Sequence, residues 1–325
     1  MNGYLKIILG MMILYLIKYF YSEYTMHEKM NDEVLHYDLV KQFFIDNNTT
    51  AISRKKKPIM WIHLDYHVNA RDWESYYSRN SSKLNQPYIY LTLKSIINKC
   101  GDDFQIALID DTSFSYLLPN YAVDFSKLAN PLKKHFQQLG LCKILQQYGG
   151  FLVPPSFLCL KNVKPIYDNA LQRADMFIIE NKVTYYSKQY YAPDLHFMGC
   201  KKNSTSMLKL VHYMEQQYSV DFTEDQDFQG KMEEFCNELI KQDYAVLVNA
   251  KHIGVQTKDK KTIDVSDLMV SNDIDFSNEL YGILIPQQEL LSRTKYQWFL
   301  KLTPEEVLTS NTIIGKHMMK VLLTC

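Results

Sequence analysis

Asp110-Asp111 is the first pair of side chains in this chain whose type and position could do chemistry. The pair closes an apolar run over residues 104–109 that reads as a β-strand. Carboxylates at the carboxyl end of a strand can meet a ribose hydroxyl or a base, as acidic residues do in nucleotide folds. The same residues also suit a local role, because Asp111 or Thr112 stands where the cap of a helix over 113–118 belongs. Lys201-Lys202 follows another apolar run and offers either phosphate contacts or a solvated turn. Asp225-Gln226-Asp227 is a literal Asp-x-Asp, a spacing that suits a divalent cation. Thr223 and Gln226, however, form a capping box, and acidic residues belong in the first turn of a helix running to about Ile240. Capping is the reading adopted there. The chain has no Gly-x-Ser-x-Gly, P-loop or His-Glu-x-x-His motif.

An α/β framework must position these groups. Residues 58–64 read as a first strand and Tyr88–Cys100 as a helix, with apolar positions at Ile89, Leu93, Ile96 and Ile97. With the strand over 104–109 they form a strand–helix–strand unit. The organising stretch is 139–168. Leu139, Leu141, Ile144 and Leu145 fall at helical spacing, Gly149-Gly150 releases the backbone, and an apolar run to Leu160 reads as a buried strand broken by Pro154 and Pro155. That places residues 153–156 at a strand end, where α/β proteins usually put ligands.

Further along, residues 163–166 turn away, 175–180 form a strand, a Tyr-rich loop follows, and 195–200 form another strand. Helices are expected over 206–218 and up to about 240, then short strands over 244–249, 253–257 and 262–265, the last two joined by a turn at 258–261. Segments 289–302 and 304–323 read as closing helices, the second capped by Thr303 with Pro304 at its first position.

Leu145, Tyr148, Gly149, Gly150, Leu160 and Pro165 match in register a motif of the sugar transferases of the DXD type, and residues 58–205 resemble that family. Its signature is Asp-x-x-Arg, a helix, Leu-Tyr-x-x-Gly-Gly, a strand ending in Asp-x-Asp, then Leu-x-Pro. The resemblance implies a GT-A-like mixed sheet flanked by helices, with Trp61 and His63 on a first strand that opens a nucleotide pocket. The polar members depart from the pattern. The family's Asp and Arg fall on Gln138 and Leu141, its Tyr on Gln146, and its two metal-binding aspartates on Pro154 and Ser156. Proline offers no side-chain ligand, and a serine hydroxyl is a poor one for a hard cation, so Mn²⁺ or Mg²⁺ would be held elsewhere or not used. The sequence is also similar to membrane-anchored proteins of giant DNA viruses, in its Tyr-Gly-Gly-x-x-Val-Pro-x-Ser-Phe-Leu-Cys stretch.

At 325 residues, 46% hydrophobic and 22% charged, the composition is that of an ordinary globular chain, and 36 basic against 36 acidic residues give no nucleic-acid groove. Six cysteines without a C-x-x-C pair argue against a compact disulfide framework or a zinc site, and Cys142 and Cys159 read as reduced core residues. Residues 4–21 carry charges only at Lys6 and Lys18. As a helix they would span about 27 Å at ~1.5 Å per residue, a single-pass anchor. The expected organisation is an anchor at 1–22, a polar stalk at 23–57, an α/β domain at 58–285 and a helical extension at 286–325.

The functional expectation is a glycosyltransferase-like protein of a host endomembrane or virion membrane with an altered site. The alternative is a non-catalytic scaffold that binds sugar, nucleotide or a membrane or virion protein. Candidate substrate contacts are Trp61, His63, Asp110, Asp111, Gly149, Gly150, Ser156, Lys201 and Lys202. An enzyme should have a pocket beyond strand 151–153 with acidic residues such as 110, 111 or 225. In a scaffold, Pro154, Pro155 and Phe157 should fill that place.

Overall fold

Residues 59–62 are buried on both faces, as a central parallel strand requires. This strand, β1 (Ile59–His63), pairs in parallel with β2 (Gln105–Ile109) on one side and β3 (Gly150–Leu152) on the other. Strand β6 (Lys188–Cys200) runs antiparallel to both β3 and β5 (Met176–Tyr185), and β7 (Val246–Val248) is parallel to β5. The result is a six-stranded mixed sheet of order β2-β1-β3-β6-β5-β7, flanked by helices. A second sheet pairs β4 (Phe157–Cys159) with β8 (Gly282–Leu284), antiparallel. The apolar run after Gly149-Gly150 is therefore two strands in two sheets, because the Pro154–Phe157 turn redirects the chain between them.

The computed structural model describes residues 57–64, 86–185, 188–218 and 225–323, together with Tyr15 and Lys18, which are helical. By contacts the chain divides into units Met1–Phe43 and Phe44–Cys325. Apart from Tyr15 and Lys18, the expected anchor, and almost all of the stalk, lie outside the described residues; among the described residues no helix is long and apolar enough to cross a membrane.

Helix α1 (Tyr88–Cys100) has the bounds its apolar spacing predicts. It pins the second sheet through two buried hydroxyls: Thr92 donates to the Pro155 carbonyl (2.6 Å) and Ser95 accepts from the Cys159 N–H (2.9 Å). After β2 comes the short α2 (Ser113–Leu117), and then α3 (Leu132–Tyr148), which starts well before Leu139. It is buried at Gln137, Gln138, Leu139, Gly140, Leu141 and Cys142 in succession, so its polar positions do not mark a solvent face.

Helix α4 (Lys164–Arg173) occupies the place where a turn is expected; Pro165 sits in its first turn, where no backbone N–H is needed. The Tyr-rich stretch is not a loop but the distal part of a β5–β6 ribbon, with Val183 opposite Tyr190. Aromatic residues suit such a pleated surface. Helices α5 (Thr205–Gln217) and α6 (Asp225–Lys241) pack beside α3, with Phe228 of α6 stacked on His135 at 3.9 Å. The expected hairpin around 258–261 keeps its turn but only one isolated bridge, Gln256–Thr262.

After α7 (Val265–Leu268), the closing segments are interrupted: α8 (Gln287–Ser292), α9 (Gln297–Leu300), α10 (Pro304–Thr309) and α11 (Ile313–Leu323). Thr303 and Glu306 form the capping box of α10, and Thr312 restarts the chain as α11 by accepting the Gly315 N–H at 2.9 Å. Phe299 returns to α1, 5.4 Å from the Tyr88 ring. Cys100, Cys142, Cys159, Cys200 and Cys236 are free and buried.

Candidate functional site

A pocket of about 1150 Å³ opens beyond the carboxyl ends of β1 and β3. His63 comes from the end of β1, Leu152 to Ser156 from the end of β3 and the turn after it, Gln138 and Leu141 from α3, Asp194 from β6 and Glu233 from α6. The last residues of a parallel strand point their side chains past the sheet edge, and the Pro154–Phe157 turn, closed by a 3.1 Å bond, holds Ser156 there. Pro154 and Pro155 form wall rather than filling. Phe157 turns away into the aromatic core, edge-on to Phe197 at 5.0 Å.

Behind His63 lies a charged cluster. Asp111 Oδ1 is 3.2 Å from His63 Nε2 and accepts from Gln137 Nε2 at 2.7 Å, while Lys133 Nζ is 2.8 Å from Oδ2. Burial alone would push the Asp111 carboxyl up. The bonds from His63, Lys133 and Gln137 outweigh burial and hold it well below the usual carboxylate range. An ionised carboxylate only accepts, so the His63–Asp111 bond is donated by Nε2 of His63. That is the arrangement of a ring oriented by a carboxylate to take a proton.

Asp194 and Glu233 face the pocket from different elements. Burial would raise the Asp194 carboxyl, but bonds from His196 and from Asn181 Nδ2 (2.8 Å) lower it. Glu233 shifts the other way: burial raises it, the Tyr190 hydroxyl at 2.9 Å lowers it, and the Asp194 charge raises it again. The two carboxyls thus shift in opposite directions within one pocket wall.

A carboxyl whose pKa is higher folded than unfolded favours the fold below that range and withdraws stability as pH rises through it. Glu233→Gln is therefore expected to raise stability at pH 7 by on the order of 0.5 kcal/mol, given solvent screening. Denaturant melts at pH 7 and pH 4 check this, since the gain should vanish at the lower pH. A gain of equal size at both would mean that the Glu233 charge is not the cause.

The basic groups of the wall are already engaged. Lys182, 6% exposed, lies 2.7 Å from Asp264 and 3.3 Å from Glu289; Lys231 pairs with Glu234 and Arg293 with Glu289. Among the described residues, the pocket wall therefore offers little unpaired positive charge for a diphosphate. The residues do not fit the divalent ion of the DXD pattern either. Pro154 and Ser156 supply no carboxylate, and among the described residues no group of three or more His, Cys, Asp or Glu side chains is disposed to hold a metal. The Asp225 side chain lies outside the described residues.

Of the expected contacts, His63 and Ser156 line the pocket and Asp111 stands directly behind His63. Asp110 is spent locally, its Oδ1 accepting from the backbone N–H groups of Thr112 and Ser113 just before α2, whose N-cap position is Thr112 without a side-chain cap bond. Trp61 is fully buried, its indole N–H donating to the Gly149 carbonyl at 2.9 Å. Gly149 and Gly150 serve that close packing, and Lys201 and Lys202 form an exposed turn.

Gln138, Asp194 and Glu233 are pocket residues that the sequence reading did not select. The available signals were small: Pro193-Asp194 is an unusual pair inside a strand, and Gln137-Gln138 interrupts an apolar stretch. Gln138 is 2% exposed, and neither its Nε2 nor its Oε1 has a hydrogen-bond partner. Leaving such a group unpaired costs about 1–3 kcal/mol.

No protein-family model matches the chain, and no curated protein matches it.

Proposed function

We propose that this chain is a glycosyltransferase-like protein, anchored to a membrane through residues 4–21, whose altered pocket takes a carbohydrate without a divalent metal. One observation carries the reading. Gln138, Leu141, Pro154 and Ser156, four of the five positions where the polar residues of the DXD signature are replaced, line one pocket, and the fifth, Gln146, is not among its lining residues. They converge although α3 and the turn after β3 are separate elements, which supports reading the pocket as a sugar site without the metal and diphosphate contacts of the DXD pattern. The mixed sheet, with its pocket beyond the carboxyl ends of the parallel strands, supports a GT-A-like domain. His63, oriented by Asp111, is the group best set to accept a hydroxyl proton, and Ser156 offers a hydroxyl in the wall.

Thermal-shift measurements on the purified full chain test the reading, with free hexoses, nucleotide sugars and nucleoside diphosphates, each with Mn²⁺ or with a chelator. A sugar-bearing ligand at 100 times its Kd should stabilise by about 2.7 kcal/mol, equally in both conditions. A shift that requires Mn²⁺, or that a nucleoside diphosphate produces without any sugar, would overturn the metal-free carbohydrate pocket. Silence with every ligand would favour the non-catalytic scaffold, whose partner is then a protein.

A further inference from the structure

A second cavity, of about 470 Å³, shares no lining residue with the large pocket. Gly254 and Val255 line the large pocket, and Gln256 and Thr257 line the smaller one, so one short segment walls both. Three pieces of chain frame the smaller cavity: the entry to a 3-10 helix (Ala250–Ile253), the turn over 256–260 and the segment 277–279. Bridges from Gln256 to Thr262 and from Thr257 to Phe276 fix the turn, and the Tyr281 N–H donates to the His252 carbonyl at 2.9 Å.

The polar side chains here have an acceptor engaged and a donor left over. Thr257 Oγ1 accepts from the Lys261 N–H (3.0 Å), Ser277 Oγ from the Glu279 N–H (3.2 Å) and Asn249 Oδ1 from the Lys251 N–H (3.0 Å). Each keeps an O–H or N–H to give. Lys258 and Lys260 add two exposed ammonium groups that pair with no carboxylate among the described residues. Lys251 is held by Glu279 at 3.0 Å, the one acidic residue in the described lining. Lys260 has φ of +62°, where glycine or asparagine would sit at lower cost, so the turn itself does not call for a lysine.

Gln256 points to a ligand independently. It is 9% exposed, and its side-chain amide bonds no other described group. Unlike the amide of Gln138, neither of its polar atoms is sealed from solvent. An amide so nearly buried, yet open at a cavity wall, is satisfied by a group that enters there.

We infer that this cavity binds a phosphate group, with Lys258, Lys260 and the donors of Thr257, Ser277 and Asn249 around the phosphoryl oxygens and Gln256 completing the wall. A neutral sugar needs acceptors as well as donors, and a carboxylate offers only two oxygens in one plane. A phosphate offers several oxygens in a tetrahedron, which matches donors arriving from three segments. The ligand is inorganic phosphate or a phosphate monoester, and the volume leaves room for the group that carries it. The site stands independently of the carbohydrate reading.

The test is a thermal-shift titration of the purified full chain with inorganic phosphate and with glucose 6-phosphate, sodium chloride holding the ionic strength constant. Wild type should respond saturably. Equal affinity for the two probes assigns the site to free phosphate, and tighter binding of glucose 6-phosphate assigns it to a monoester. Glucose alone is the control, since a shift with it belongs to the large pocket. Lys258→Ala and Gln256→Leu should each weaken phosphate binding by about tenfold or more, the scale of one hydrogen bond to a charged group. Without ligand, Lys258→Ala should melt as wild type does, because its ammonium is unpaired, and Lys260→Gly no lower, because glycine accepts the positive φ.

A wild type that neither phosphate probe saturates overturns the site. So does a phosphate response that survives unchanged in Lys258→Ala, Lys260→Gly and Gln256→Leu, because the anion then binds elsewhere.

Discussion

Gly150→Ala is expected to lower stability by about 3 kcal/mol or more, a loss that combines a forbidden backbone conformation with overpacking. Gly150 has φ of +112°, and a Cβ there would sit 2.3 Å from the Ile59 carbonyl oxygen and 3.1 Å from Trp61 Nε1. Neither neighbour can yield. Ile59 begins a strand paired with β2, Met60 is registered against Phe151 of β3, and the Trp61 indole is fixed to the Gly149 carbonyl. The helix-to-strand turn thus serves close packing of α3, β1 and β3 beside the pocket. Urea denaturation should show a much lower midpoint with the slope retained. Gly230→Ala is the control: nothing lies within 4 Å of a Cβ added in the middle of α6, so it should gain about 0.5–1 kcal/mol from helix propensity. A Gly150→Ala midpoint equal to wild type would mean that the turn relaxes and that the glycine is not structurally required.

Asp111→Asn is expected to cost about 3 kcal/mol at pH 7, because it removes the negative charge that His63, Lys133 and Gln137 share in a partly buried cluster. The pH dependence identifies the cause. The Asp111 carboxyl has a lower pKa folded than unfolded, so its contribution is complete above the unfolded value and is lost as pH falls toward the folded one. The difference between wild type and variant should be large at neutral pH and shrink steadily below the ordinary carboxyl range of about 4. A difference that is constant with pH would place the effect in packing rather than charge. The substitution also leaves one acceptor oxygen where three donors, His63, Gln137 and Lys133, now share two, and an amide N–H turned toward His63 would favour the other ring tautomer. If the pocket transfers sugar, transfer should fall by about four orders of magnitude, the scale of losing ring orientation in a comparable dyad. Unchanged transfer would take Asp111 out of the mechanism.

Much of the framework was legible because it is local. Helix α1 is a run in which each apolar side chain recurs at helical spacing, and the Thr303–Glu306 box announces α10 by itself. Reading failed where context overrides period. The stretch 151–160 looks like one strand, since apolar content alone does not reveal that a Pro154–Phe157 turn hands it to a second sheet whose partner lies at 282–284. The Tyr-rich stretch looks like a loop because its partner strand supplies the reason for extension. The single helices expected over 289–302 and 304–323 break at Arg293 and around Ser310, where side-chain hydroxyls and short turns compete with the helix.

The sequence by itself determined the α/β character, the glycine turn, the reduced buried cysteines and the absence of carboxylates at Pro154 and Ser156, because each depends on residue type or spacing within a few neighbours. Only the tertiary structure decided which polar groups share a pocket. Gln138, Asp194 and Glu233 lie far apart in the chain, and they meet because β6 is inserted antiparallel between β3 and β5 while α6 closes over it. Strand order and the environment that drives two carboxyls apart arise from long-range packing, and no local periodicity encodes them.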